Sequence, residues 1–395
     1  MPAIRSVSGP GRAPVWVMIS DRPGDNAQAL AVARATGLPF EVKPMIPIGG
    51  SIVHKGSRAF APDRLDRDGS ARLEPPWPGL IITIGGWATP AALWVQERSN
   101  GRTKIVLIGR PKRGELDRFA LVLVSSQYRV PAHPLVVKVD FPVSRPDRAQ
   151  VAQIAARWRP VLRPLARPLT AVLVGGRTKP YRLDEAVGRT LAADLNDLLA
   201  RDGGSLYIVT SRRTDPQVTR ALAGHLPADA NIFDWQTDAR ADNPYLGLLG
   251  CADRFVVTAD SVSMMTDVAS LGRPLAIYPL PKEAGLRHRL ATTRARLIDG
   301  APARAGRFGA LALLAHRLGL LGFPRDLEAV HGKLYDRGLA VAFGDRFPPE
   351  GPGLDDELTS VAARIRDLMP DRAVTTRRGL AYRAQPRTTR GDQRC

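Results

Sequence analysis

Three stretches of this chain place glycines, hydroxyls and charges together at points where an apolar run ends. The first follows the apolar residues 257–259: a polar knot of Asp260, Ser261 and Ser263, then Met264, a lone carboxylate at Asp267, and Gly272-Arg273-Pro274. Hydroxyls and free backbone N–H groups at the mouth of a helix suit phosphate oxygens. A carboxylate one or two turns further in can accept two hydrogen bonds from a diol. The second stretch is Gly175-Gly176-Arg177-Thr178, and the third is Ser211-Arg212 with its neighbours Arg213 and Thr214. Guanidinium forks match the geometry of a diphosphate. Together they predict one anion site lined by Gly175, Gly176, Arg177, Thr178, Ser211, Arg212, Ser261, Ser263, Met264 and Asp267.

The N-terminal half carries a similar pair of turns. Residues 20–26 read SDRPGDN, where Gly24 permits a tight turn and Asn26 and the acids can cap the helix that follows. Asp21 is the candidate acid–base group, with Arg22, Gly24 and Asn26 beside it in a cleft. Gly85-Gly86 ends another apolar run and opens a helix, leaving backbone N–H groups able to approach an oxyanion. The spacing is neither that of a dinucleotide fingerprint nor that of a phosphate-binding loop with its lysine.

The elements that must position these residues alternate regularly. Apolar strand-like runs at 14–20, 80–84, 105–109, 121–124 and 136–140 are interleaved with Ala-rich helical patterns at 27–37 and 90–98. A second series starts with 169–176 and continues through 206–211, 231–235, 255–260 and 275–280, with helices between. Alternation of this kind predicts βαβ units and parallel sheets. The fold class is therefore α/β, two doubly wound Rossmann-like domains facing a cleft. The Arg- and Pro-dense stretch 147–167 marks the boundary. The expected division is 1–160, 168–325, a helical segment 326–369 that returns to the first domain, and a disordered basic tail 370–395. A further helix is expected at 310–322.

Composition narrows the chemistry. The chain has 395 residues, 44% hydrophobic, enough for two cores, and a net charge of +19 that attracts anions. The cations are not interleaved with aromatics, so a specific nucleic-acid role is not expected. Two cysteines, Cys251 and Cys395, and six scattered histidines form no ligand spacing, so no metal and no other cofactor is expected. No apolar run reaches the roughly 18 residues of a membrane span, and no apolar leader is evident. The expectation is a cytoplasmic protein, with peripheral contact to an anionic membrane surface as a second expectation.

The hydroxyl knot, the helix acid and the Gly-x-Pro that follows resemble the nucleotide-sugar half of GT-B glycosyltransferases, such as the lipid II-forming N-acetylglucosaminyltransferase. That resemblance implies that Asp267, five residues before Gly272, meets the donor ribose. More specifically, the segments SDRPGDNAQALAVA, LIITIGGWATPAALW, VLVGGRTKPYRLD, SLYIVTSRRT and TADSVSMMTDVASLGRP resemble the mitochondrial-fission ELM-type family across roughly residues 15–325. The family resemblance implies a GT-B-like fold, nucleotide-sugar enzymes among bacterial members and a fission role through a dynamin-related partner among plant members. It leaves three readings open: a glycosyltransferase using a nucleotide-diphosphate sugar on a cell-envelope acceptor, a catalytically silent adaptor at a membrane, and a nucleotide-sugar epimerase. The last needs paired carboxylates near the sugar, and no such pair stands out.

Overall fold

The protein is described by a computed structural model covering residues 15–48, 60–111, 116–130, 133–143, 145–238, 242–283, 323, 325–354 and 356–369. The expected helix at 310–322 and the tail 370–395 lie outside the described residues. The first unit runs β1 (Val15–Ile19), α1 (Pro23–Thr36), β2 (Phe40–Pro44), β3 (Leu80–Ile84), α2 (Ala88–Arg98), β4 (Lys104–Ile108), β5 (Leu121–Ser125) and β6 (Val136–Val139). Helix α3 (Arg148–Leu162) leads into the second: β7 (Leu169–Leu173), α4 (Glu185–Asp202), β8 (Ser205–Val209), α5 (Pro216–His225), β9 (Asn231–Phe233), α6 (Tyr245–Cys251), β10 (Arg254–Thr258), α7 (Val262–Ser270) and β11 (Leu275–Tyr278). Helix α8 (Glu328–Asp336), β12 (Val341–Ala342) and α9 (Leu358–Arg366) follow later in the chain.

These strands form two six-stranded sheets, in the orders β2-β1-β3-β4-β5-β6 and β12-β11-β10-β7-β8-β9. Every pairing is parallel. Central strands covered by helices on both faces read as nearly continuous apolar runs, and β3 (LIITI) and β7 (LTAVL), each with one threonine, are buried at every position. Helix starts follow from short acceptors: Asp147 accepts from Ala149 N at 2.9 Å, Asp184 from Val187 N at 3.1 Å, and Asp215 from Gln217 N at 3.0 Å.

The chain passes between the units at 140–147, ahead of α3, because Val151 and Leu162 of α3 pack in the second core. There α3 meets α6 at small residues: a Cβ on Gly247 would stand 2.4 Å from Trp158 Cγ, and one on Gly250 would stand 2.6 Å from Ala155 Cβ. Segment 326–369 divides between the units. Leu327, Val330 and Leu334 pack in the second core and β12 joins the second sheet, while Val361 and Ile365 of α9 pack in the first core, against α1. The two crossings run side by side, with the Asp140 N–H donating to Glu357 Oε1 at 2.9 Å. A cavity of about 170 Å³, lined by Arg145, Arg148, Ser270, Asp356 and Glu357 among others, lies between them.

Candidate functional site

In an open parallel sheet, ligands collect where the strand order reverses, beyond the carboxyl ends of the strands. The first sheet reverses between β1 and β3, and the second between β7 and β10. The glycine, hydroxyl and acid stretches of the sequence follow these four strands and β8, the neighbour of β7.

In the second unit the turns after β7, β8 and β10 are tied into one knot. The Gly175 N–H donates to Thr258 Oγ1 and the Gly176 N–H to Asp260 Oδ2, each at 2.8 Å. The Thr258 hydroxyl donates to Asp260 Oδ1 at 2.8 Å, and the Thr214 hydroxyl to the Gly175 carbonyl at 2.5 Å. Asp260 is 2% exposed, and burial raises its pKa against the pull of these hydrogen bonds and of the nearby Arg213 charge. Glycine is required by close approach: a Cβ on Gly175 would lie 2.4 Å from Asp260 Oδ1, and one on Gly176 would lie 2.6 Å from the Arg213 carbonyl oxygen. The N–H groups of both glycines are therefore engaged inside the protein.

What faces outward is different. Arg177, Arg212, Arg213 and Ser263 are exposed, Met264 and Ser211 are half-buried, and Ser261 and Thr178 are buried. Arg213 Nη1 donates to Thr178 Oγ1 at 3.3 Å, and the Ser211 hydroxyl shares a 3.0 Å hydrogen bond with that of Thr214. The N-terminus of α7 follows Ser261 directly, so its first N–H groups and partial positive charge sit at the edge of the knot.

In the first unit Asn26 closes the turn after β1. Its Oδ1 accepts from the Ser20 N–H at 2.9 Å and its Nδ2 donates to the Ser20 carbonyl at 2.7 Å. The turn after β3 approaches from the side: Gly85 and Gly86 have φ of +46° and +51°, a region that L side chains rarely adopt. A Cβ on Gly86 would sit 3.4 Å from Ser20 Oγ, and one on Gly85 would sit 3.6 Å from Asp25 Oδ2. Asp21 is half-buried, Arg22 and Gly24 are exposed, and Arg22 Nη1 stands 3.9 Å from Asp25 Oδ2. Burial raises the pKa of Asp25, opposed by the charges of Arg22, Arg325 and Arg213. Arg213 of the second unit thus influences an acid of each unit, Asp25 and Asp260.

Asp267 lies apart from the knot, two turns along α7. The Tyr245 hydroxyl donates to its Oδ2 at 2.8 Å. Burial pushes its pKa up to about 7, with the Tyr245 hydrogen bond and the Arg145 charge pulling the other way. Arg145 lines the cavity between the two crossings, so Asp267 stands near that cavity rather than over the glycine turn. Asp25, Asp260, Arg213 and Thr214, which stood in the stretches named above but outside the expected site, take part in these arrangements, as do Thr258, Tyr245 and Arg145, which spacing alone did not single out. Among the described residues no group of three or more His, Cys, Asp or Glu side chains could hold a metal ion, and no helix is long and apolar enough to cross a membrane.

Two doubly wound parallel sheets, each with its reversal point furnished by small and charged residues, define an α/β protein. Residues 23–305 match the family model described as Mitochondrial fission ELM1, and the chain belongs to that family. Uncharacterized protein RP120 of Rickettsia prowazekii (strain Madrid E) is 32% identical over 310 residues, covering 70% of this chain and 86% of its own. Mitochondrial fission protein ELM1 of Arabidopsis thaliana is 30% identical over 222 residues, 51% of each chain. Among solved structures, UDP-GlcNAc 2-epimerase of Neisseria meningitidis bound to UDP-GlcNAc covers 89% of this chain and 99% of its own at 9% identity and a TM-score of 0.46. The kitacinnamycin glycosyltransferase covers 90% and 98% at 14% identity and a TM-score of 0.43.

Proposed function

We propose that the crevice binds a nucleotide-diphosphate sugar and transfers the sugar to a hydroxyl-bearing acceptor of the cell envelope. The observation that carries this reading is the knot of three strand-end turns at the second reversal point, which presents exposed Arg213 and the start of α7 together. A leaving diphosphate needs positive charge fixed in advance where its own charge develops. Arg213 is held by its N–H, which donates to the Ser211 hydroxyl, and by its guanidinium, which donates to Thr178, and the helix start adds its dipole. Arg177, Arg212 and the Ser261 and Ser263 hydroxyls stand on the same turns, and Asp267 has Oδ1 left for a ribose hydroxyl. On the other side of the crevice the turns after β1 and β3 are the place for the acceptor.

Titration calorimetry against a panel of nucleotide sugars tests the reading. Wild type is expected to bind at least one member, and a ligand at 100 times its Kd should stabilise the fold by about 2.7 kcal/mol. Arg213→Met should weaken that binding roughly tenfold or more while leaving Tm in place, through loss of charge-assisted hydrogen bonds to the diphosphate. The family name on the Arabidopsis relative favours one alternative, a binding protein in membrane fission that has kept the fold without catalysis. Failure of the whole panel to bind would sink the transferase reading and leave the adaptor.

A further inference from the structure

We propose that Asp25 is the acid–base residue of the crevice, the group that receives the proton of the acceptor hydroxyl. This rests on the nucleotide-sugar reading above and assigns the reacting group on the acceptor side.

The two strand-end acids of the second unit are committed elsewhere. Asp260 spends both oxygens on Thr258 and Gly176. Asp267 gives Oδ2 to Tyr245 and sits toward the crossings between the units. Asp25 is half-buried, yet among the described residues its carboxylate accepts no hydrogen bond, and its one ion-pair contact is the long 3.9 Å approach of Arg22. A partly desolvated carboxylate without a hydrogen-bond donor has both oxygens available for a hydroxyl.

Position is the second argument. Asp25 stands in the first turn of α1, beside the reversal point between β1 and β3, and the turn after β3 closes to 3.6 Å between Oδ2 and a Cβ position on Gly85. The Asn26 clamp on Ser20 holds the turn that carries it. The charged groups that face it are Arg22 and Asp21 from its own turn, Arg213 from the turn after β8, and Arg325 from the approach to α8. The turn after β3 contributes glycines. Arg213, placed above at the leaving diphosphate, is thus close enough to feel the charge of Asp25, which sets base and leaving group on opposite sides of one reacting centre.

The step balances with groups already named. The acceptor O–H gives its proton to Asp25 Oδ2 as its oxygen electron pair bonds to the anomeric carbon. The bond from that carbon to the diphosphate oxygen breaks with its electron pair, and the nucleoside diphosphate leaves beside Arg213. Asp25 then returns its proton to water. Burial that raises the carboxyl pKa brings it nearer the working range of a general base.

The test uses the full chain, the variant Asp25→Asn and UDP-GlcNAc as probe, whose diester diphosphate has no titration of its own near neutrality. Bringing that dianion beside Asp25 raises the carboxyl pKa further, so wild type should take up protons on binding, an uptake that fades as the pH rises well above the carboxyl range. The uptake is read as a binding heat that changes with buffer ionisation enthalpy. D25N should bind UDP-GlcNAc at least as tightly, without that uptake, and release UDP at least about 100-fold more slowly, the usual scale for a lost general base. Its Tm should be no lower than wild type, since no hydrogen bond to the carboxylate is lost and the partly desolvated charge is removed. Equal proton uptake in the two proteins, or equal rates of UDP release, zero included, overturns the assignment of Asp25 while leaving nucleotide-sugar binding intact. A wild type that binds no nucleotide sugar overturns the underlying reading instead.

Discussion

Replacing Asp267 by Asn should change the pH dependence of stability in a way that can be worked out beforehand. The carboxyl pKa rises from 3.8 to about 7 on folding, chiefly through burial. Between those values the folded protein holds a proton that the unfolded chain has released. Wild-type stability attributable to this group therefore falls as pH rises through that window and levels off above about pH 7. A shift of about three units at about 1.4 kcal/mol each sets a ceiling of about 4 kcal/mol. Asparagine keeps the shape, can still accept from the Tyr245 hydroxyl, and carries no charge at any pH. Wild type and D267N should then differ by less than about 1 kcal/mol near pH 4, one neutral hydrogen bond's worth. By pH 8 the variant should be the more stable, by an amount approaching that ceiling. Urea denaturation at a series of pH values measures the difference directly. A difference that stays constant across the series, or grows toward acid, refutes the argument that Asp267 is a desolvated carboxyl. The same protein reports on the ligand: if Oδ1 accepts a ribose hydroxyl, UDP affinity should drop roughly tenfold in D267N at pH 8.

Two further substitutions probe the turns. Gly175→Ala puts a methyl group 2.4 Å from Asp260 Oδ1 and should cost about 1–3 kcal/mol or more by overpacking, read as a lowered urea midpoint with an unchanged slope. Asn26→Ala removes both hydrogen bonds to the Ser20 backbone and leaves those buried groups to find water, so a loss of about 1–3 kcal/mol is expected in the same assay. An Asn26→Ala protein as stable as wild type would show that the turn after β1 needs no such clamp.

The strands and most helices were legible because their cause is local. Runs such as residues 80–84 and 255–258 are apolar but for one threonine each, and a parallel sheet covered on both faces buries every position of them. Helix starts were legible for the same reason, since Asp147, Asp184 and Asp215 act on N–H groups two or three residues away. The path between the units was less legible. Whether α3 belongs to the first or the second core depends on Gly247 and Gly250 letting α6 approach it, a complementarity that joins positions about ninety residues apart.

The glycine turns show why the site itself resisted sequence reasoning. Gly175-Gly176 at a strand end offers two explanations, free N–H groups for an anion or close contact with another chain segment, and the dipeptide looks the same in both. The deciding partners, Asp260 and Arg213, lie 84 and 37 residues further on, at strand ends that become neighbours only when β10 and β8 flank β7. Asp260 directly follows its strand and could have been matched to the glycines on the expectation that β7 and β10 adjoin. Arg213 could not be told from Arg212, because only the folded turn shows which guanidinium returns over Thr178. Asp25 was hidden in the same way: it reads as a helix-capping acid, and its unbonded carboxylate becomes visible only once Gly85 and Arg213 are seen to approach it from other strands. Strand ends at a reversal point draw their partners from neighbours in space, so the types of group gathered there can be read from the sequence while their pairings require the assembled sheets.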